Sequence, residues 1–324
     1  MSSSLLQVQD LLAYLELDLP PSQWLESPDF PLFVPLPYLS RIAKGNSKDP
    51  LLLQVLPLTN ELHQSAEFTA DPLEESSFTP LNGLLHKYQG RVLIITSGAC
   101  AINCRYCFRR HFPYQEHQPD RKAWVSMFDY IAKNASISEV ILSGGDPLIL
   151  NDSRLSWIAS ELAKIPHIKR LRIHSRLPVV IPQRISTSLL NWIEASPLKI
   201  VMVIHCNHPN ELDGQVAGCL QKLRHAGVSL LNQSVLLSGV NDSADVIISL
   251  SEKLYGMDVL PYYLHMLDRV SGASHFEVSS KSARRIYQQV ISALPGYLVP
   301  KLVKDNPEST SKTLILPRTG TPSS

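Results

Sequence analysis

The sequence predicts an α/β fold, a partial (β/α)6 TIM-like barrel with an N-terminal helical extension and a short C-terminal segment. Three observations predict it. Short runs rich in Val, Ile and Leu recur after Arg91: RVLIIT (91–96), EVILSG (139–144), KRLRIH (169–174), KIVMVIH (199–205), SLLNQSVLL (229–237) and MDVLPYYLH (257–265). Longer amphipathic stretches such as NDSRLSWIASELAKI and ELDGQVAGCLQKLRHAG separate them. Near-continuous apolar strands joined by helical crossovers make a parallel sheet covered by helices. Polar motifs also fall directly after the runs, where a barrel of this kind builds its site from the loops at strand C-termini.

Taken in order, residues 1–80 read as an extension of short helices and irregular segments broken by prolines, as in LPPSQW, DFPLFVPLPYLSRI and TADPLEESSFTPLNG. Residues 81–298 form the barrel core, and 299–324 a C-terminal segment ending in the polar tail GTPSS. The start MSSSLLQVQDLLAYLELDLP carries acidic residues and no cationic region before an apolar run, so a signal peptide is not expected and the thiols are expected reduced, in the cytoplasm. With 44% hydrophobic and 18% charged residues the composition is that of a globular protein. Thirty basic against 29 acidic residues leave a net charge of +1, which gives no global field to attract nucleic acid or a membrane surface. No apolar run reaches the length of a membrane span.

The first strand leads into GACAINCRYCFRR, with Cys100, Cys104 and Cys107 spaced C-x3-C-x2-C. Thiolates hold iron–sulfur clusters, and a cubane with three protein ligands keeps one iron open to a substrate or cofactor. A structural zinc site normally closes with four Cys or His ligands in paired short spacings, and Cys206 and Cys219 form no second pair of that kind. Those two read as buried structural cysteines. GGDPL follows the second strand, HSR the third and HCNHPNE the fourth. A lone GGDP is ordinarily a turn, in which Gly supplies unusual backbone angles and Pro ends the strand.

CAINCRYCFRR, SGGDPL, RIHSRLPVVIPQRI, HCNHPNE, NQSVLLSGVND and PYYLHMLD, in this order and spacing, resemble the lysine 2,3-aminomutase family of radical S-adenosylmethionine (radical SAM) enzymes. The similarity runs from about residue 60 to about residue 317, and is strongest to the short EpmB-type branch associated with β-lysylation of elongation factor P. The resemblance implies the radical SAM type of barrel and three cofactors: a [4Fe–4S] cluster, S-adenosyl-L-methionine and pyridoxal 5′-phosphate (PLP). Cys100, Cys104 and Cys107 would hold the cluster. Gly144, Gly145 and Asp146 would approach the methionine amino group, His205 and Gln233 would contact the same cofactor, and Tyr106 would pack near the cluster or adenine. Lys312, in the Lys312-Thr313 dipeptide, would be the catalytic lysine that carries PLP, and Arg91 would take its phosphate. Arg109 would pair with the α-carboxylate of lysine, while Asp268 and Asp305 would receive its ε-ammonium. A shorter substrate would leave those acids as unpaired buried charges.

The activity so implied is that of an isomerase, an L-lysine 2,3-aminomutase that moves the α-amino group of lysine to C3 and yields β-lysine. An external one-electron reductant and a functional link to an elongation factor P lysine ligase go with it. The chain departs from the longer aminomutases, whose PLP lysine follows a glycine-rich run where this sequence has DNPESTSKT. Two other readings stand beside the first: a radical SAM and PLP aminomutase of another amino acid such as glutamate, and a non-enzymatic, metal-stabilised binding module.

Overall fold

All six expected runs are parallel strands of one sheet in the computed structural model, which describes residues 4–5, 7–113 and 119–317. The tail GTPSS lies outside the described residues. A two-residue pair, β1 (Ser4–Leu5) with β2 (Val34–Pro35), stands apart. The main sheet comprises β3 (Leu84–Tyr88), β4 (Arg91–Ser97), β5 (Glu139–Gly144), β6 (Arg170–Ser175), β7 (Lys199–His205), β8 (Ser229–Val235), β9 (Leu260–His265), β10 (Lys301–Lys304) and β11 (Thr313–Leu314), in the spatial order of the chain. From β4 to β10 neighbours run parallel; β3 and β11 are antiparallel at the two edges.

Short helices α1 (Val8–Tyr14), α2 (Leu36–Leu39) and α3 (Pro50–Leu53) precede the sheet. The crossovers are α4 (Arg121–Lys133), α5 (Asp152–Ala163), the short α6 (Leu177–Val180) with α7 (Thr187–Ala195), α8 (Gly214–His225), α9 (Ala244–Tyr255) and α10 (Ser280–Ala293). Each longer crossover starts where the sequence supplies an oxygen to bond a first-turn amide: Asp120, Asn151, Ser186, Asp213, Ser243 and Ser279. The helices pack on the outer face of the strands. On β6, for example, Leu171 and Ile173 are fully buried under them, whereas Arg172 and His174 alternate onto the inner face.

Beyond the β1–β2 pair, three strands of the main sheet were not expected from the sequence. β3 forms a tight hairpin with β4, Tyr88 opposite Arg91, and Gly90 at φ 80° makes the turn. β10 and β11 are too short to show a pattern. The sixth run begins at Leu260 rather than 257, because the chain leaves α9 through Asp258 in the left-handed region, φ 59°.

The N-terminal segment is not a separate body. Leu11, Leu39, Leu51, Leu52 and Val55 belong to the same hydrophobic cluster as Val140, Leu171 and Met202 of the strands. The two ends of the sheet also approach each other. Tyr88 on β3 donates from its hydroxyl to Asp305 Oδ1 just after β10 (3.0 Å), and Lys87 donates to the carbonyl of Asn306 (2.8 Å). The sheet is therefore rolled into a partial barrel whose open seam is bridged by side chains.

Candidate active site

The cysteine loop leaves the end of β4 and is gripped from both sides. Toward the N-terminal segment, Asn103 N–H donates to the Phe33 carbonyl (3.0 Å) and Arg105 N–H to the Gln54 carbonyl (2.9 Å). The Arg105 side chain is wholly buried and meets Glu61 with two nitrogens (2.7 and 2.6 Å); Arg110 reaches the same carboxylate (2.6 Å). Toward β5, Gly145 N–H donates to the Ser97 carbonyl (2.7 Å) and Asp146 N–H to that of Ala99 (2.9 Å). Glycine is required for this contact. Gly144 sits at φ +120°, and a Cβ there would lie 2.7 Å from the Ser97 oxygen; a Cβ on Gly145 would lie 2.3 Å from the Ala99 oxygen. The first two residues of GGDPL thus dock the cysteine loop on the strand end.

Cys100, Cys104 and Cys107 are free thiols, each partly exposed. Burial, followed by the charge of the neighbouring thiolates, pushes Cys100 well up and Cys107 to about 11. Metal loading there must release protons. Among the described residues no three His, Cys, Asp or Glu side chains converge on a single-ion site. A cubane differs from zinc in this respect, because each thiolate takes a different iron and the ligands need not meet at one point. Three thiols on one loop are the donor set of a cluster that keeps one iron open. Arg176, buried against Glu211 (2.9 Å) and Gln54 (2.6 Å), also donates to Cys104 Sγ.

Asp146 is engaged with the fold itself. Its carboxylate accepts from Ser175 Oγ (2.8 Å) and from the amides of Leu148 (3.0 Å), Arg176 (2.8 Å) and Leu177 (3.2 Å). Burial outweighs these donors and raises it to about 6. Tyr106 accepts from the Asn207 amide (2.7 Å) and stands edge-on to Phe276. His205 and Gln233 are register partners on β7 and β8, and the Gln233 amide donates to His205 Nε2 (2.8 Å). Burial, then the positive charge of Arg176 and Arg109, drops His205 to about 3, so its ring is neutral. His174 and His265 are lowered as well, mainly by burial, and each keeps a buried Nε2 without a hydrogen-bond partner while lining the cavity.

The charged groups pair with one another. Arg109 holds Glu75 in a two-point contact, Nε to Oε2 at 2.8 Å and Nη2 to Oε1 at 2.6 Å, while Nη1 donates to Ser143 Oγ (3.2 Å) and the Gly144 carbonyl (3.4 Å). Lys312 pairs with Asp305, which the β10–β11 turn brings back beside it. Burial alone would raise Asp305, but the charge and hydrogen bond of Lys312 take it below the ordinary carboxylate value. Asp268 goes the other way: burial and the neighbouring charge of Asp305 lift it to about 7. Arg91 lies over the Tyr88 ring (4.5 Å).

Every residue nominated by the sequence lines one cavity, which runs along the inner face of the sheet from Arg91 at the start of β4 to the loops after the strand C-termini: Cys100, Cys104, Cys107, Tyr106, Arg109, Arg91, Gly144, Gly145, Asp146, His205, Gln233, Asp268, Asp305 and Lys312. The same cavity is lined by groups to which the sequence reading gave no individual role, among them Glu75, Lys87, Arg172, His174, Tyr263 and His265. Arg172 with His174, and Tyr263 with His265, carried a signal in their two-residue spacing inside otherwise apolar strands. Glu75 carried none, since DPLEES reads as a solvated acidic turn.

Comparison with known proteins bears on this arrangement. Residues 94–250 match the model of the radical SAM superfamily. The L-lysine 2,3-aminomutase of Haemophilus influenzae is 51% identical over 285 residues, covering 88% of this chain and 84% of that one. The protein of the same name from Escherichia coli is 50% identical over 285 residues (88% and 83%), and that of Clostridium subterminale 38% identical over 281 residues (86% and 67%).

Proposed function

Because the chain belongs to the L-lysine 2,3-aminomutase family of radical SAM enzymes, we propose that it converts L-lysine to β-lysine within the cavity described above. It is an isomerase that works with a [4Fe–4S] cluster, S-adenosylmethionine and PLP. Supply of β-lysine for modification of elongation factor P is the further reading, supported by the resemblance to the short branch. The observation that carries the substrate assignment is the set of charges gathered in one cavity, the Arg109 guanidinium together with the Asp268 and Asp305 carboxylates.

The cluster with S-adenosylmethionine supplies a hydrogen-abstracting radical when bound, and PLP supplies the π-system through which nitrogen migrates. The chain supplies the rest. Cys100, Cys104 and Cys107 hold the cluster on a loop fixed by Glu61 and by the β5 glycines. Lys312 holds PLP, with Arg91 for its phosphate. Arg109, whose guanidinium plane suits two-point recognition, takes the α-carboxylate. Asp268 and Asp305 hold the ε-ammonium and so set the reach between the two ends of the substrate. His205, neutral and bonded to Gln233, would offer S-adenosylmethionine a ring that adds no charge.

The test is anaerobic. Protein reconstituted with iron, sulfide and PLP, then given S-adenosylmethionine, a reductant and L-lysine, is expected to form β-lysine, read by mass-resolved chromatography. Formation of 5′-deoxyadenosine without β-lysine would remove the substrate assignment and leave the radical chemistry.

A further inference from the structure

The Arg109 guanidinium that the substrate carboxylate needs is already taken. Its Nε and Nη2 face both oxygens of Glu75, and its third nitrogen is turned to Ser143 and Gly144. Arg109 is 6% exposed and Glu75 9%, so this is a buried pair rather than a surface contact. Glu75 lies on a one-turn segment, Glu75–Phe78, directly before β3 and outside the barrel strands. The preceding residue, Glu74, holds a left-handed conformation at φ 49°, and the Thr79 hydroxyl donates to the Glu75 carbonyl (2.8 Å), which turns the Glu75 side chain inward. In the same cavity, Asp305 is paired with the Lys312 ammonium. The protein thus presents its own carboxylate and its own ammonium at the two places proposed for those groups of lysine.

We propose that Glu75 is a stand-in for the α-carboxylate of the substrate. It neutralises the buried Arg109 charge while the site is empty, and is displaced when L-lysine enters. The physical reason is that an unpaired buried guanidinium is costly, so an empty site without Glu75 would be poorly preorganised; with it, Arg109 is held at the cavity wall in the orientation its ligand requires. The same contact imposes a discrimination. A ligand must bring a carboxylate able to replace Glu75 in a two-point contact, and the apparent affinity for lysine is reduced by the fraction of molecules in which Glu75 occupies Arg109. Glu75 is in this sense a specificity-determining residue, acting through Arg109. The inference rests on the reading of Arg109 as the carboxylate receptor.

The experiment measures equilibrium binding of L-lysine and of L-lysinamide, which lacks the carboxylate, to the reconstituted enzyme without reductant, by calorimetry, together with steady-state KM and kcat under reducing conditions. Glu75→Gln is expected to bind L-lysine roughly 3- to 10-fold more tightly, with lysinamide binding unchanged and the gain appearing in KM rather than kcat. Glu75→Asp, which keeps the buried charge but is one methylene short, is expected to shift lysine binding the same way by a smaller factor, and serves if the Gln variant does not load its cofactors. Weaker or unchanged lysine binding in both variants overturns the proposal, as does equal tightening of both ligands. Arg109→Gln separates the underlying reading: it is expected to weaken lysine about tenfold or more whichever residue stands at position 75, and a silent Arg109→Gln would remove Arg109 as receptor altogether.

Discussion

Asp268 and Asp305 share a cavity and titrate in opposite senses. Lys312 keeps Asp305 ionised, whereas burial and the neighbouring Asp305 charge hold Asp268 near 7. Only ionised Asp268 attracts a cation, so lysine affinity is expected to rise as pH rises through about 7; calorimetry between pH 6 and 8 should show that Asp268→Asn weakens binding and removes this part of the dependence. Stability follows from the same shifts. Asp268 is raised from 3.8, so its contribution is complete below that value and is lost as pH rises through about 7. His205 and His265 are depressed from 6.5 to about 3, so their contribution is complete above 6.5 and is lost as pH falls toward 3. The two effects oppose each other between about pH 4 and 6.5, so Asp268→Asn is expected to make the melting temperature of the metal-free protein rise more steeply with pH across that window.

At the scale of elements, the cysteine loop has two supports that predict separable failures. Glu61 carries two buried arginines, and Glu61→Ala would leave both charges unpaired. The expected cost is about 3–5 kcal/mol, read by denaturant unfolding. Gly145→Ala meets the Ala99 carbonyl backbone, which has no flexible end to move aside. It is expected to reduce iron bound per chain after reconstitution while the far-ultraviolet circular dichroism of the helices and strands persists. The strands and their polar loops were legible because apolar runs and the cysteine spacing are local signals. The supports were not. Glu61 and Arg105 are 44 residues apart, and their pairing exists only after the N-terminal segment has folded against the loop. β10 and β11 escaped notice because they are too short to carry a period, yet their pairing brings Lys312 to Asp305. The fold and the placing of the cysteine loop at the cavity were legible from local pattern, while the charge pairing inside the cavity required the tertiary structure.

On the scale of the whole molecule, the N-terminal segment and the barrel share one hydrophobic core, so neither side is complete alone. Removing residues through Leu58 would uncover the apolar surface beneath Leu39, Leu51, Leu52 and Val55. The truncated chain is expected to elute as aggregate in size-exclusion chromatography rather than as a trimmed monomer. Among the described residues no helix is long and apolar enough to cross a membrane. The seam between β3 and the end of β10 has a mechanical meaning. A hoop closed by a continuous backbone ladder resists opening equally all round, whereas one fastened by a clasp yields at the clasp. Here the fastening is Tyr88 on Asp305 and Lys87 on Asn306, two side-chain bonds where other strand junctions have several backbone ones. Asp305 is also half of the Lys312 pair. A change of charge inside the cavity is therefore felt as slack or tension in the barrel wall itself.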